Sequence, residues 1–480
     1  MSSFLILGVF IAYTILLFGI TYITSRKANN ETFFVGNRVS PWYVVAYGMI
    51  GASLSGVTFM SVPGWVKDTQ FSYMVLVAGY LVGYAVIATI LLPLYYKMNL
   101  ISIYTYLEKR FGFWTYKTGA GFFLLSRTLG ASLRVFLVVN VFQIFVFDAL
   151  GVPFWLTGLI FITLIVLYTF KGGIKTIVWT DTLQTTFMLL GVALTIIFIC
   201  KDLHIGLGDM ISRIWQSDSS KMIVTDWHVK NYYLKYFFGG IFIAIAMTGL
   251  DQEMMQKNLS CKNLRESQIN MFTFSGSLVF VNLMFLFLGA VLLFYANTHS
   301  IQVANTDELF PTIALQHLSP LAGIIFLIGL VSAAYPSADG ALTSLTTSFC
   351  IDFLNFNKLE RITETHKRKI RYIVHISIAL IFLIAIIIFR ELNDKAVIDK
   401  IFTIAGYTYG PLLGFFSFGL FTSWKVKDKF VPVVAIASPI ICYILSAYSV
   451  LWFSGYKFGF ELLIVNGILT FTGLFLIRRK

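Results

Sequence analysis

Long apolar runs, separated by short polar connections, fill this chain from end to end. A bilayer's hydrocarbon core takes about 20 apolar residues of helix to cross. About thirteen runs meet that length, near residues 4–24, 42–66, 71–97, 119–148, 154–170, 177–201, 232–250, 270–295, 320–349, 369–390, 397–420, 430–452 and 458–478. The runs do not alternate apolar with polar, as outer-membrane barrel strands do. A lone span satisfies its own backbone as a helix. The pattern predicts an all-α polytopic membrane protein, one transmembrane domain over residues 1–480.

The connections fall into two sets. One is basic: Arg26, Lys27 and Arg38; Lys97, Lys109, Arg110 and Lys117; Lys171 and Lys175; Lys257, Lys262 and Arg265; then "NKLERITETHKRKIR", "WKVKDK" and the tail "IRRK". The other is balanced or acidic: "KDTQ", "FDALGVP", "NTDELF" and "RELNDKAVIDK". Lys and Arg accumulate on the cytoplasmic side. The N terminus is therefore expected outside and the C terminus in the cytoplasm, with an odd number of crossings. The longest external connection is 202–231, and "NTDELFPTIALQHL" reads as a short external amphipathic helix.

Composition agrees. The chain is 58% hydrophobic and 12% charged, with a mean hydropathy of +0.80. The net charge of +13 follows from the basic loops and needs no nucleic acid. Cys200, Cys261, Cys350 and Cys442 have neither disulfide nor metal spacing. The first apolar run lacks a basic n-region and a cleavage site, so it reads as a retained helix. The six histidines are scattered, and no nucleophile elbow or phosphate loop stands out, so an enzyme is disfavoured.

The informative positions interrupt the apolar runs. "GASLSG", Gly51 to Gly56, puts two glycines and two serines in mid-span. It reads either as close packing through small residues or as a helix unwound in the membrane to free its carbonyls. "SAAYPSADGALTS", Ser332 to Ser344, carries the same choice. Pro336 deprives the Ser332 carbonyl of its helical partner, and a kinked packing helix accounts for the proline but not for Asp339. A carboxylate there is costly in lipid, ~2.5–3.5 kcal/mol or more at a helix centre. Oxygen ligands without thiol or imidazole suit a hard cation such as sodium. Asp181 lies ~9 Å into its helix from Lys175, and Arg134 is near the middle of the fourth run. Arg127 reads as a residue snorkelling to the inner surface, and Asp251 and Glu253 as either interfacial or functional.

Several motifs resemble the sodium/solute symporter family, which includes sodium-coupled glucose, iodide, proline and sialate transporters. "FFVGNRVSPW" followed by "MIGASLSGVTFMSVPG" is similar to the start of its first core helix. "YTFKGGIKTIVWTDTLQ", "GLDQEMMQKNLSCKNLRES" and "YLEKRFG" are similar to later family segments, and the order agrees over nearly the whole chain. The resemblance implies a LeuT-type five-plus-five inverted repeat with one extra helix before and two after. That places the first helix at 4–24, repeat one at about 42–201, repeat two at about 232–420 and the C-terminal helices within 430–478.

It also implies a sodium site between core helices one and eight: carbonyls of Gly51, Leu54 and Ala333, with the Ser337 hydroxyl. Pro336 departs from members that have a hydroxyl there. Asp181 and Asp339 would form a second ion or proton site. Ser53, Ser55, Thr58 and Arg134 would face the solute, with Met247 at the gate position of core helix six. Arg134 lies near the carboxylate-binding arginine of acid-transporting relatives, which favours an anionic sugar or organic acid. The expected function is sodium-coupled symport of a small polar solute (sugar, sugar acid or organic acid) by alternating access in a bacterial-type inner membrane. Expected partners are sodium ion, the solute and the bilayer, with no nucleic acid and no obligate protein partner evident. The alternatives are a proton-coupled carrier using Asp339 and Asp181, or a transporter-fold channel or sensor.

Overall fold

The computed structural model describes residues 3–24, 30–170, 173–356, 363–391 and 397–479. Arg26, Lys27, Lys171 and parts of "NKLERITETHKRKIR" and "RELNDKAVIDK" lie outside the described residues. The described chain is helical, with two isolated backbone bridges, Ser40 to Cys261 and Val426 to Arg478.

In chain order the main helices are α1 (Ser3–Thr24), α2 (Trp42–Ser53), α3 (Gly56–Thr69), α4 (73–97), α5 (Phe113–Leu150), α6 (Phe154–Thr169) and α7 (Gly173–Asp202). After a surface helix α8 (Leu207–Gln216) come α9 (Tyr233–Gly249), α10 (Gln252–Asn258), α11 (Leu264–Thr298) and α12 (Pro320–Phe353). The chain finishes with α13 (Glu364–Glu391), α14 (Val397–Thr408), α15 (Gly410–Phe421), α16 (Asp428–Ala447) and α17 (Leu462–Leu476). Among the described residues eight helices are long and apolar enough to cross a membrane, or ten if each of two bent pairs is one span. The sequence count of about thirteen is reached only if the shorter α6 and α17 and the α2–α3 pair also count as crossings.

Helix α12 lies at the centre. Every residue from Gly329 to Ser348 is buried, with α7, α5, α3 and α1 packed around it. This wrapping explains how the helix carries so many hydroxyls. Polar groups at membrane depth are tolerated where protein, not lipid, surrounds them. It also corrects one expectation. The stretch Ser332–Ser344 is not unwound: α12 is helical straight through Pro336. Tight packing on all sides holds the turn that the proline weakens.

Helix α7 crosses α12 where two glycines meet. A side-chain carbon on Gly191 would lie 3.2 Å from the Gly329 Cα. Elsewhere α4 packs on α9, α2 on α7, and α3 on α11. The segment expected to be a short amphipathic helix is helical over 306–317, with Leu309, Phe310 and Ile313 buried and Gln316 and His317 exposed. A second amphipathic surface helix is α8, which buries Met210 and Ile214 and exposes Leu207, Ile211 and Trp215.

Candidate functional site

Two spans are broken. The first break separates α2 from α3 at Leu54 and Ser55. The ladder's last bond is Leu54 N–H to Ile50 O, 2.8 Å, and it resumes with Phe59 N–H to Ser55 O, 3.0 Å. The carbonyls of Gly51, Ala52, Ser53 and Leu54 therefore have no helical partner, and no side chain among the described residues donates to them. Gly51 is required by a close approach: its N–H donates to Thr185 Oγ1 at 3.0 Å, and a Cβ would sit 2.4 Å from that oxygen.

The second break separates α9 from α10, whose axes differ by 70°. Here the freed backbone is satisfied. Tyr95 donates to the Gly249 carbonyl and Tyr104 to that of Leu250, each at 2.8 Å. Asp251 caps α10, accepting from the N–H groups of Glu253 (2.9 Å) and Met254 (3.2 Å). The contrast matters chemically. Tyrosines close the second break, while the first keeps unpaired carbonyl oxygens in the protein's interior, the kind of ligand a hard cation takes.

Across from the first break stands α12. A Cβ on Gly56 would lie 3.8 Å from the Ala334 Cα. Ala334 is thus the α12 residue that meets this point; Ala333 directly precedes it in the chain, and Ser337 lies one turn on from Ala333. The Ser337 Oγ is buried and has no hydrogen-bond partner among the described residues. An unpaired buried hydroxyl is costly, and a cation at this point would relieve it. The four residues expected to hold sodium thus come from the two facing segments.

The four residues expected to face the solute, Ser53, Ser55, Thr58 and Arg134, all line one inner cavity of about 80 Å³, as does Met247. Sequence reasoning missed Tyr73, Tyr80, Tyr84 and Asn282 on its walls. Asn282 was legible as an amide in the apolar run of α11; the tyrosines look like ordinary membrane aromatics. An outer chamber of about 440 Å³, lined by Asp68, Lys230 and Thr306 among others, lies beyond. Ile243 and Phe402 line both spaces and stand between them.

Bordering the cavity, which Arg127 also lines, is a buried ion network. Arg127 pairs with Glu253 and lies 3.8 Å from Asp251. Lys257 donates to Asp181 Oδ2 at 2.7 Å and is 3.6 Å from Glu253 Oε1. Tyr409 donates to Asp251 Oδ2 at 2.6 Å, and Tyr168 to Asp339 Oδ2 at 2.6 Å. Three expectations change here. Arg127 does not snorkel to the surface; it is enclosed. Asp251 and Glu253 are fully buried, not interfacial. Lys257, read as a cytoplasmic loop charge, is 1% exposed and sits inside the bundle.

The structure also relates the depths of Asp181 and Asp339. Asp181 is ten residues before Gly191, and Asp339 is ten residues after Gly329. Since Gly191 and Gly329 mark the helix crossing, the two carboxylates lie at about one level on opposed helices. They do not bond each other; each has its own partner, Lys257 and Tyr168 respectively.

A helix opened in mid-bundle beside a small polar chamber, with side chains standing between that chamber and the outside, defines a secondary transporter of the alternating-access kind rather than a channel. Comparison with known proteins agrees. The profile of the Sodium:solute symporter family matches residues 33–428, and the chain belongs to that family. It is a membrane protein that carries a small solute with sodium, and it is not an enzyme.

It is 21% identical over 462 residues to the sodium/sialic acid symporter NanT of Aliivibrio fischeri (strain ATCC 700601 / ES114), covering 94% of this chain and 89% of that relative. With the sodium/sialic acid symporter SiaT of Proteus mirabilis (strain HI4320) it shares 24% identity over 444 residues, 90% and 87% of the two chains. A solved Na+-coupled sialic acid symporter, substrate-bound and outward-open, matches with a TM-score of 0.83 at 20% identity, covering 98% of this chain and 97% of that one. That likeness establishes the LeuT-type fold. The nucleobase-cation-symport-1 transporter Mhp1, in a closed conformation, matches more loosely, with a TM-score of 0.56 at 13% identity over 93% of each chain.

Proposed function

We propose that this symporter carries an anionic solute, a sugar acid or organic acid, with its carboxylate held by Arg134. The observation that carries this reading is the state of that guanidinium. Arg134 lines the inner cavity and makes no hydrogen bond or ion pair among the described residues. Arg127, on the same helix, is by contrast occupied by Glu253. A guanidinium presents a planar fork that matches a carboxylate. Ser53, Ser55 and Thr58 supply hydroxyls for the rest of a polyol or acid. The sialic acid specificity of the two bacterial relatives supports the same class.

Sodium binds at the first break, on the carbonyls of Gly51, Leu54 and Ala333 and the Ser337 hydroxyl. Its charge steadies the opened backbone and so completes the solute site. Inward release follows from rocking of a helix bundle against the surrounding scaffold. The decisive experiment is uptake into proteoliposomes under an inward sodium gradient. N-acetylneuraminate or a simple sugar acid is expected to accumulate, and neutral hexose is not. Accumulation of the hexose with exclusion of every acid would overturn the reading.

Ser337→Ala removes one ion ligand and keeps the helix. A hydrogen bond or dipole to a charged group is worth ~1.5–3 kcal/mol. The sodium concentration for half-maximal uptake is therefore expected to rise by roughly 10-fold or more. An unchanged sodium curve would take Ser337 out of the site.

The protein is proposed to lie in the inner membrane with its N terminus outside and the 355–371 loop in the cytoplasm, since that loop holds the densest Lys/Arg cluster. A cysteine placed at His366 is expected to resist an impermeant thiol reagent in intact cells and to react after permeabilisation. Labelling in intact cells would reverse the topology.

A further inference from the structure

We infer that Asn282 sets a second requirement on the solute: besides a carboxylate for Arg134, it must carry a hydrogen-bond donor, a hydroxyl or an N–H, that meets the Asn282 side-chain carbonyl. The inference rests on the anionic reading above and narrows it to hydroxy and amido acids.

Asn282 interrupts the apolar run "LVFVNLMFLFLG" of α11. An amide at membrane depth calls for partners inside the protein. The residue is 1% exposed and lines the inner cavity, as does Leu278 one turn before it. Its Nδ2 donates to the Leu278 carbonyl at 2.7 Å. That bond fixes which way the amide faces, because turning it over would set two carbonyl oxygens against each other at that distance. The Oδ1 is then left over. It is buried and has no hydrogen-bond partner among the described residues.

The other polar groups on the cavity wall behave differently. Arg127 and Arg134 can only donate. The hydroxyls of Ser53, Ser55 and Thr58 turn to donate or accept, so they adapt to either kind of solute group. The tyrosine hydroxyls do the same, and those of Tyr73 and Tyr80 stand 3.5 Å apart. Asn282 Oδ1 can only accept. Water can serve it while the cavity is free of solute. A solute displaces that water, and one with no donor at this point leaves the oxygen buried and unpaired. The penalty falls on the solute that lacks the donor, so the residue acts on selectivity more than on affinity at large.

Helix α11 is continuous from Leu264 to Thr298. The Leu278 carbonyl therefore keeps its backbone partner when the amide is removed, and the helix tolerates an apolar residue at 282.

Apparent affinities for pairs of acids that differ in one donor test this, in sodium-driven uptake by proteoliposomes holding the full chain. The pairs are N-acetylneuraminate with each of its mono-deoxy derivatives, N-acetylneuraminate with the analogue in which an ester oxygen replaces the amide N–H, and lactate with propionate. The wild type is expected to prefer the donor-bearing member of at least one pair by roughly 10-fold or more. In Asn282→Leu that preference should fall to about 2-fold or less, through weaker binding of the donor-bearing member alone. Sodium binding without solute should stay as in the wild type. A preference that survives intact in Asn282→Leu would overturn the inference. So would equal losses for both members of every pair, which would mark a structural role. A wild type that transports acids but is indifferent to every donor would overturn it too, while leaving the anionic reading in place. Transport of none of these acids would overturn the anionic reading and this inference with it. Should Asn282→Leu fail to fold, Asn282→Ala makes the same comparison.

Discussion

Arg134→Ala will lower solute affinity by roughly 100-fold or more while leaving solute-free sodium binding close to wild type. A charged hydrogen bond contributes about 1.5–3 kcal/mol, and a two-pronged one in a small inner cavity lies at or above the top of that range. The loss should appear chiefly in KM, since the guanidinium holds the same carboxylate throughout the cycle. Arg134→Lys will recover only part of it. A lysine keeps the charge but presents a point, not a fork. Uptake of labelled sugar acid at fixed sodium, with sodium binding followed separately by tryptophan fluorescence, checks both halves. Equal solute affinity in wild type and Arg134→Ala would remove Arg134 from the solute site and take the anionic reading with it.

The second large effect concerns the network bordering the cavity. Arg127→Met is expected to destabilise the protein by about 3–5 kcal/mol, because it leaves Glu253 buried without its main partner. Both side chains are enclosed, with 5% and 0% exposure, so solvent cannot take over the charge. Asp251 loses less, since the α10 N–H groups and Tyr409 still serve it. Glu253→Met should cost a similar amount from the other side. The double replacement Arg127→Met/Glu253→Met should regain most of the loss, because an apolar pair of similar volume avoids the desolvation that the ions incur. Thermal unfolding of the four proteins in one detergent gives the cycle. Additive losses in the double variant would mean that the pair is not coupled as the geometry requires.

Much of this protein was present in its linear pattern. Apolar runs of bilayer length forced helices, because no other single-span structure satisfies its backbone in lipid. The GASLSG segment announced a weak point, and the structure breaks the helix within it, at Leu54 and Ser55. Ser53, Ser55 and Thr58 reached the cavity because they lie on either side of that break, a strictly local property. Arg134 stood out because an arginine in mid-span demands a reason.

What only the tertiary structure decided were relations between residues far apart in the chain. Pro336 looked like a helix opener, yet α12 runs through it, because its stability comes from the helices wrapped around it. Lys257 looked like a loop charge, since its neighbours Lys262 and Arg265 are polar and basic and its partner Asp181 is 76 residues away. Whether a lysine is solvated or paired depends on what faces it, and no local pattern records that. The common depth of Asp181 and Asp339 came from the Gly191–Gly329 crossing; a count along one helix cannot give it, because opposed helices begin and end at different heights. Local sequence determined where the backbone is helical and where it breaks, through propensity and the demand for internal hydrogen bonds. Which buried charges meet was decided by packing, because a charge in a low-dielectric interior is settled by its nearest neighbours in space.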